Sequence, residues 1–240
     1  MLINGWDIIC AGAKQCNVIF GSHAVSNTSE WIRGSPAPVL IRNDIGFKTL
    51  KIVLLIKRAG GRENLLRARS DILSRLLEPV ELTLDGYGNC FFGILTGHSA
   101  QENVLRRWHT LTLEFDCYEY GSRVTASFAK TDQVTIANTG NLPAPALVEI
   151  TPLSGAASLT VTGICRDADT GKDLPVTVRN LTTGKTVSID GETGLITEDG
   201  AIKAGDVEIW SLPVLLPGDN KITLDNQWMD FTVKFRPRFM

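Results

Sequence analysis

A single amphipathic helix, stopped by a proline, sits inside a chain whose other apolar residues alternate with a period of two. In residues 62–78, Leu65, Leu66, Ile72, Leu73, Leu76 and Leu77 fall four and seven apart, one stripe of a 3.6-residue period. Arg62, Glu63, Arg67, Ser70, Asp71, Ser74 and Arg75 fall off that stripe. Gly60-Gly61 opens the segment, and Pro79, which lacks an N–H and clashes with the preceding turn, closes it. A lone helix of this kind buries its stripe against a sheet, because no second helix offers an apolar face. Residues 60–120 therefore read as an α+β unit.

The sheet is supplied by the flanking segments. In residues 48–57, Leu50, Ile52, Leu54 and Ile56 share one face, and Thr49, Lys51, Val53, Leu55 and Lys57 share the other. After the helix, Val80, Leu82 and Leu84 alternate with Glu81, Thr83 and Asp85. The turn Asp85-Gly-Tyr-Gly-Asn89 follows, with a return strand over residues 90–96. The longest strand candidate is 106–120, with Leu111, Leu113, Phe115 and Cys117 inward. Residues 1–20 read as a short strand pair around Gly12. Residues 21–38, rich in Ser, Asn, Gly and Pro around a lone Trp31, read as a long connection, a kind that is either functional or mobile.

Beyond Tyr120 no helical period recurs. Short alternating segments such as Ser158-Leu-Thr-Val-Thr, Val176-Thr-Val-Arg and Asp230-Phe-Thr-Val-Lys-Phe are separated by turns such as Pro217-Gly-Asp-Asn. Many short strands at near-even spacing predict a β-sandwich. The chain of 240 residues is thus expected to form two domains, 1–130 and 131–240.

The chemistry of the chain is sparse. A formal charge of −2 gives no electrostatic basis for a nucleic-acid partner. The longest uninterrupted apolar run, residues 52–56, is too short for membrane insertion, and the N-terminus lacks a basic signal-peptide start. Five cysteines without a CxxC spacing read as free thiols in a reducing compartment, so folding in a cytoplasm is expected. His23, His98 and His109 are scattered and seed no metal site, and Cys90 and Cys117 occupy apolar strand positions. Gly184-Lys-Thr186 imitates the end of a P-loop, but Arg179 stands where the first glycine belongs, so a hairpin turn is expected. The loop from Asp167 to Asp173 spaces carboxylates as calcium loops do but lacks the remaining ligands. Asn27-Thr-Ser and Asn180-Leu-Thr match glycosylation sequons, which matter only after secretion. Trp210 and Trp228 are expected in the core, with a sugar platform as the alternative. Nothing assembles a nucleophile, a base and an oxyanion site, so no enzyme, catalytic residue, cofactor or metal is expected.

Several pieces recur together in one known group. They are Ile3-Asn-Gly, the strand 48–57, Arg62-Glu-Asn-Leu-Leu, Leu76-Leu-Glu-Pro-Val-Glu-Leu, residues 87–93 and Leu111-Thr-Leu-Glu-Phe-Asp-Cys-Tyr-Glu-Tyr120. In the second half they are Ile136-Ala-Asn-Thr-Gly-Asn-Leu-Pro-Ala-Pro145, Ser188-Ile-Asp190, Gly194-Leu-Ile-Thr-Glu-Asp-Gly200, Leu216-Pro-Gly-Asp-Asn220 and the closing Phe-Arg-Pro-Arg-Phe. In order and spacing the chain resembles the distal tail protein (Dit) family of long-tailed, siphovirus-like phages.

That resemblance implies a mainly β protein: an α+β N-terminal domain built as a split β-barrel with one helix, then a galectin-like β-sandwich. It implies a structural role, with six copies closing into a ring at the virion tail tip after assembly in the host cytoplasm. Such a ring joins the tail tube protein to the baseplate hub or tail-associated protein, and its outer domains carry receptor-binding protein. Within a ring, residues 21–38 become an arm toward a neighbour, and Trp31, Arg67 and Arg75 become the expected assembly contacts. The alternative is a carbohydrate-binding β-sandwich acting in host cell-surface adhesion. The chain lacks the His-Asn-Arg cluster followed by Trp and Glu that galectins use, and its sandwich carries no large insertion, which suits a structural platform better.

Overall fold

Period-two alternation builds nearly the whole molecule. A computed structural model describes residues 1–57, 59–103, 107–167 and 170–240, with residues 40 and 42–44 described by backbone alone. It separates into two compact units, Met1–Tyr120 with Met240, and Gly121–Phe239. Among the described residues there is one α-helix, and the remaining regular structure is almost entirely antiparallel strand. The mainly β class with a single helix is thus what the chain adopts.

The first unit contains β1 (Leu2–Ile3), β2 (Trp6–Asp7), β3 (Ala13–Glu30), β4 (Val39–Ile56), α1 (Arg62–Ser74), β5 (Val80–Thr83), β6 (Cys90–Asn103) and β7 (Trp108–Tyr120). The strands form one sheet in the order β2-β1-β5-β6-β7-β4-β3. Its centre is the β4–β7 pair, where Leu50 opposes Phe115, Ile52 opposes Leu113 and Leu54 opposes Leu111. All six are at most 1% exposed. Against this face α1 lays Leu65, Ala68 and Ile72, which are buried, while Arg67 on its far side is exposed. Spacings of three and four select that stripe, with small Ala68 allowing close approach to the sheet.

The helix is four residues shorter than its sequence period predicts. Arg75 N–H donates to the Ile72 carbonyl (3.2 Å) and Leu76 N–H to the Leu73 carbonyl (3.0 Å), the tighter i→i−3 pattern of a helix end. Pro79 biases the residue before it away from the α region, so the last turn is spent before the proline arrives. Leu76 still reaches the core, but Leu77 is 83% exposed and leaves the predicted stripe.

Three other expectations need correction. The N-terminal strand pair turns at Asn4-Gly5, both at positive φ (47° and 78°), as a two-residue hairpin with two left-handed positions requires. Gly12 instead closes a 3-10 turn over Ile8–Ala11, donating to Ile8 and Ile9. Residues 21–38 are not a structureless connection: β3 and β4 run as an antiparallel hairpin of 18 residues per strand, leaving only 31–38 between them. The return strand after the Asp85–Asn89 turn continues through Asn103 rather than stopping at Thr96. Of the strand expected over 106–120, Arg106 lies outside the described residues.

The second unit contains β8 (Val124–Ala129), β9 (Gln133–Asn138), β10 (Ala144–Pro152), β11 (Ala156–Arg166), β12 (Asp173–Leu181), β13 (Val187–Asp190), β14 (Ile196–Glu198), β15 (Ala201–Ile202), β16 (Val207–Glu208), β17 (Val214–Leu215), β18 (Gly218–Leu224) and β19 (Met229–Phe235). One sheet runs β15-β14-β13-β10-β19-β8, with β17 beside the start of β10; the other runs β16-β12-β11-β18-β9. Their inward residues, among them Val148, Ile150, Val161, Val176, Ile222, Phe231 and Val233, are fully buried in one core. This is the expected sandwich. β8, which a boundary at residue 130 leaves with the first domain, pairs along its whole length with β19.

Chain 201–208 straps one lateral edge of the sandwich, pairing with β14 through β15 and with β12 through β16. Lys203, 8% exposed, fastens it: its ammonium donates to the Asn180 carbonyl (2.9 Å) and reaches Glu198 (3.2 Å) and Asp206 (3.3 Å). A buried ammonium is tolerated only with its donors satisfied, which these three acceptors accomplish. The Gly184-Lys-Thr186 turn also departs from expectation, because it joins β12 to β13, members of different sheets, and is therefore a crossing rather than a hairpin.

The two faces of α1 can be told apart by stability. Ile72→Asp is expected to unfold the first unit, since it sets a carboxylate among fully buried side chains, whereas Leu77→Asp leaves the melting temperature within a few degrees. Ile72→Ala should cost about 2–4 kcal/mol. Thermal denaturation followed by circular dichroism checks all three; equal losses for positions 72 and 77 would refute the assigned faces.

Candidate functional site

The feature that a self-contained domain does not need is the outer part of the β3–β4 hairpin. β4 is held by β7 from Ile56 back to Lys48, where Lys48 opposes Cys117. Beyond Lys48 towards the turn, β4 pairs among the described residues only with β3. The pairing slips on both sides of His23↔Lys48, so a bulge stands on each side of that rung. Bulges bend and twist a ribbon, and here they mark where the arm leaves the sheet. Gly21 and Gly46 sit in these slips; a Cβ on Gly21 would lie 1.8 Å from the Thr49 hydroxyl.

Lys48 anchors the departure point. Its ammonium is 2.7 Å from Glu119, both side chains are under a fifth exposed, and it lies 5.5 Å from the Phe20 ring centroid. Asn89 donates to the other oxygen of Glu119 at 2.7 Å. Phe20 packs edge-on against Tyr87 (4.9 Å) and beside Phe91 (5.4 Å). The root of the arm is thus held by one ion pair and one aromatic group.

The arm itself is apolar and open. Val25 opposes Ile45 across the ribbon, and Val25, Ile32, Ile41, Ile45 and Phe47 are all between 41% and 60% exposed. Trp31, in the turn, is 64% exposed. A two-stranded ribbon is marginal alone, and so many exposed apolar side chains on one element mark an interaction surface. Sequence reading singled out Trp31 alone; residues 39–47 do carry alternating Val39, Ile41, Ile45 and Phe47, but Arg42-Asn-Asp44 interrupts the period.

The other expected contacts lie on α1 and at its C-terminal end. Arg67 pairs with Glu63 one turn back (2.8 Å), both largely exposed. Arg75 follows the last helical turn, its guanidinium 4.2 Å from the centroid of Trp6 in β2. It borders a cleft of about 350 Å³ lined also by Ile3, Asn4, Trp6, Leu77 and Glu78. The structure therefore places Arg67 on α1, Arg75 at its C-terminal cap and Trp31 on the arm, at a separate site. Trp6 was not singled out from sequence, and Leu77 was expected in the core as part of the helical stripe.

The remaining candidate chemistry resolves simply. Among the described residues, no group of three or more His, Cys, Asp or Glu could hold a metal ion. Ala168 and Asp169 of the calcium-like loop lie outside the described residues; within the rest, Asp167 accepts from Thr170 N–H (2.7 Å) as an ordinary turn. Cys117, completely buried, has its thiol pushed up to about 12 by desolvation, the nearby Lys48 opposing only in part. Burial likewise raises Cys165 to about 11. Both are inert rather than nucleophilic. Trp210 (76% exposed) and Trp228 (50%) are not core residues. Ile209 packs inward, turning its neighbour Trp210 outward, and Trp228 lies in a turn with Lys130 5.6 Å from its ring centroid.

Known proteins agree with this architecture. Residues 139–239 match the family model for the siphovirus-type tail component, C-terminal domain. The whole chain superposes on the Dit protein of phage SPP1, described as a paradigm of the hub adsorption apparatus in phages infecting Gram-positive bacteria. There the TM-score is 0.78 at 14% identity, over 100% of this chain and 98% of that one. The phage P2 baseplate in its activated conformation with Ca is also similar, with a TM-score of 0.54 at 11% identity over 98% of this chain and 94% of the other. The Sr form gives 0.52 at 10% identity, over 95% and 92%. No curated protein sequence matches the chain. The likeness to distal tail proteins drawn from sequence is thus met by a family match in the second unit and a shared fold over the full length.

Two measurements follow. Cys10 and Cys16, both exposed, should react at once with a thiol reagent at neutral pH, while Cys117 and Cys165 react only on unfolding. Because the folded Cys117 pKa lies above its ordinary 9.0, its contribution to stability is whole below about pH 9 and is lost as pH rises towards 12. At the arm root, Lys48→Met should cost about 1–3 kcal/mol by stranding a mostly buried Glu119. Arg67→Ala should cost under about 0.5 kcal/mol, as exposed i,i+4 pairs do. Denaturant titration of both variants compares the two.

Proposed function

We propose that this chain is a distal tail protein: a structural component of a siphovirus-like tail tip that works as a homohexameric ring. The second unit's match to the tail-component family and the fold shared with phage Dit and baseplate proteins support a tail-tip structural role. The single observation that carries the ring is the β3–β4 arm, a long ribbon with exposed apolar residues rooted in an otherwise complete domain. A heterologous contact that repeats from subunit to subunit closes into a ring when its rotation divides the circle. An arm on one edge of each subunit is the element such a contact needs.

In this reading the first unit forms the ring and the sandwich stands outside it. The ring joins the tail tube protein to the hub or tail-associated protein, and the outer units offer docking to host-recognition components. Trp31 and the exposed faces of Arg67 and Arg75 supply subunit contacts. The role is scaffolding rather than catalysis. The open Trp210 and Trp228 are the observation that keeps a second reading, a carbohydrate-binding sandwich, in view.

Light scattering of the purified chain, followed by negative-stain imaging, tests the ring. Six-fold particles with a central hole are expected, and deletion of residues 24–34 should leave monomers. A wild-type chain that stays monomeric at high concentration and binds glycans through Trp210 or Trp228 would favour the second reading.

A further inference from the structure

We propose that the cleft beside the end of α1 is the seat for the arm tip of a second copy of this chain, an assignment that rests on the ring reading above. The cleft is bounded by β1, β2 and the chain just after α1, whereas the arm leaves the sheet from β3 and β4, so cleft and arm tip are different patches of the subunit. A donor arm and an acceptor cleft that are two different patches of one subunit make a head-to-tail pair, the arrangement that repeats around a ring without using the same patch twice. From His23 to Glu30 the strand makes seven rises of about 3.4 Å, roughly 24 Å, so the tip stands well clear of the sheet that carries it.

The chemistry of the two surfaces matches. The tip reads Glu30-Trp31-Ile32-Arg33, a negative end, two large apolar side chains and a positive end, all exposed. The cleft's lining offers the matching set: Arg75 and Glu78 as charges, and Trp6 and the 83% exposed Leu77 as apolar surface. Among the described residues, Glu30, Arg33, Arg75 and Glu78 have no ion-pair partner, although most other charges near α1 do, Arg62 with Glu102 and Arg67 with Glu63 included. Arg75 is held ready rather than free to collapse, because its guanidinium is stacked on Trp6 at 4.2 Å. A stacked guanidinium keeps its edge N–H groups directed outward for a carboxylate. A volume of about 350 Å³ accommodates an indole with an aliphatic neighbour, and seating Trp31 there would cover the largely exposed Leu77.

A charge exchange on the full-length protein tests the seat. Arg75→Glu and Glu30→Arg are each expected to raise at least tenfold the concentration below which rings dissociate, read by light scattering across a dilution series. Combining the two in one chain is expected to restore assembly to within a few-fold of wild type. Trp31→Ala, which alters no charge, is expected to weaken rings in the same way, and unchanged melting of the monomer shows that each variant folds. If wild type forms rings and the single variants form them equally well, the seat is wrong while the ring stands. Weakening by both single changes without recovery in the double variant also overturns the pairing. A wild type that never assembles overturns the ring, and the seat with it.

Discussion

The antiparallel pairing of β4 with β7 is the constraint on which the first unit depends. It sets Leu50, Ile52 and Leu54 against Phe115, Leu113 and Leu111 and so creates the apolar face that α1 covers. It also ends abruptly. β7 continues past Cys117 to Tyr120 paired with β6, but β4 no longer accompanies it beyond Lys48. From that rung outward β4 has β3 as its only neighbour, and a core-building strand becomes an arm. Close packing holds β6 to β7 at the same level: a Cβ on Gly93 would meet the Asp116 carbonyl at 2.3 Å and Cys117 Cβ at 2.5 Å, so these strands tolerate no side chain there. One strand thus serves stability at one end and contact at the other, and Lys48 with Glu119 marks the change.

Much of this was legible in the sequence because it rests on periodicity. The inward residues of β4, β5 and β7 were each assigned to the correct face, and the sandwich followed from short strands and turn signals. The errors share a cause, namely that local pattern says nothing about what lies across from it. Residues 21–30 lack alternation, since Gly21, Ser22, Asn27, Thr28 and Ser29 are neither apolar nor turn-forming in a consistent rhythm, yet they are strand because β4 pairs with them. Leu77 continues the helical stripe in sequence, but the helix has already ended when the chain reaches it. Trp210 and Trp228 look like core residues by size and are surface residues by position.

The candidate contacts were legible only in part. A lone Trp in a polar segment is visible in a sequence, as are arginines on the outer face of a helix. The stacking of Arg75 on Trp6 joins residues 69 positions apart, and the charges at 30, 33, 75 and 78 become meaningful only once arm and cleft are seen as separate surfaces of one unit. Within the sandwich, Lys234 pairs with Glu149 and Lys203 with Glu198.

The open apolar residues of the arm give any association through it a thermal signature. Water around Val25, Ile41, Ile45 and Phe47 is released when a partner covers them, and removal of such surface lowers the heat capacity of the system. The driving force from that release is entropic near room temperature and fades on cooling. A contact made this way tightens as a cold sample is warmed towards ambient temperature, until other terms take over. A preparation kept near freezing would therefore hold its subunits more loosely than one kept on the bench.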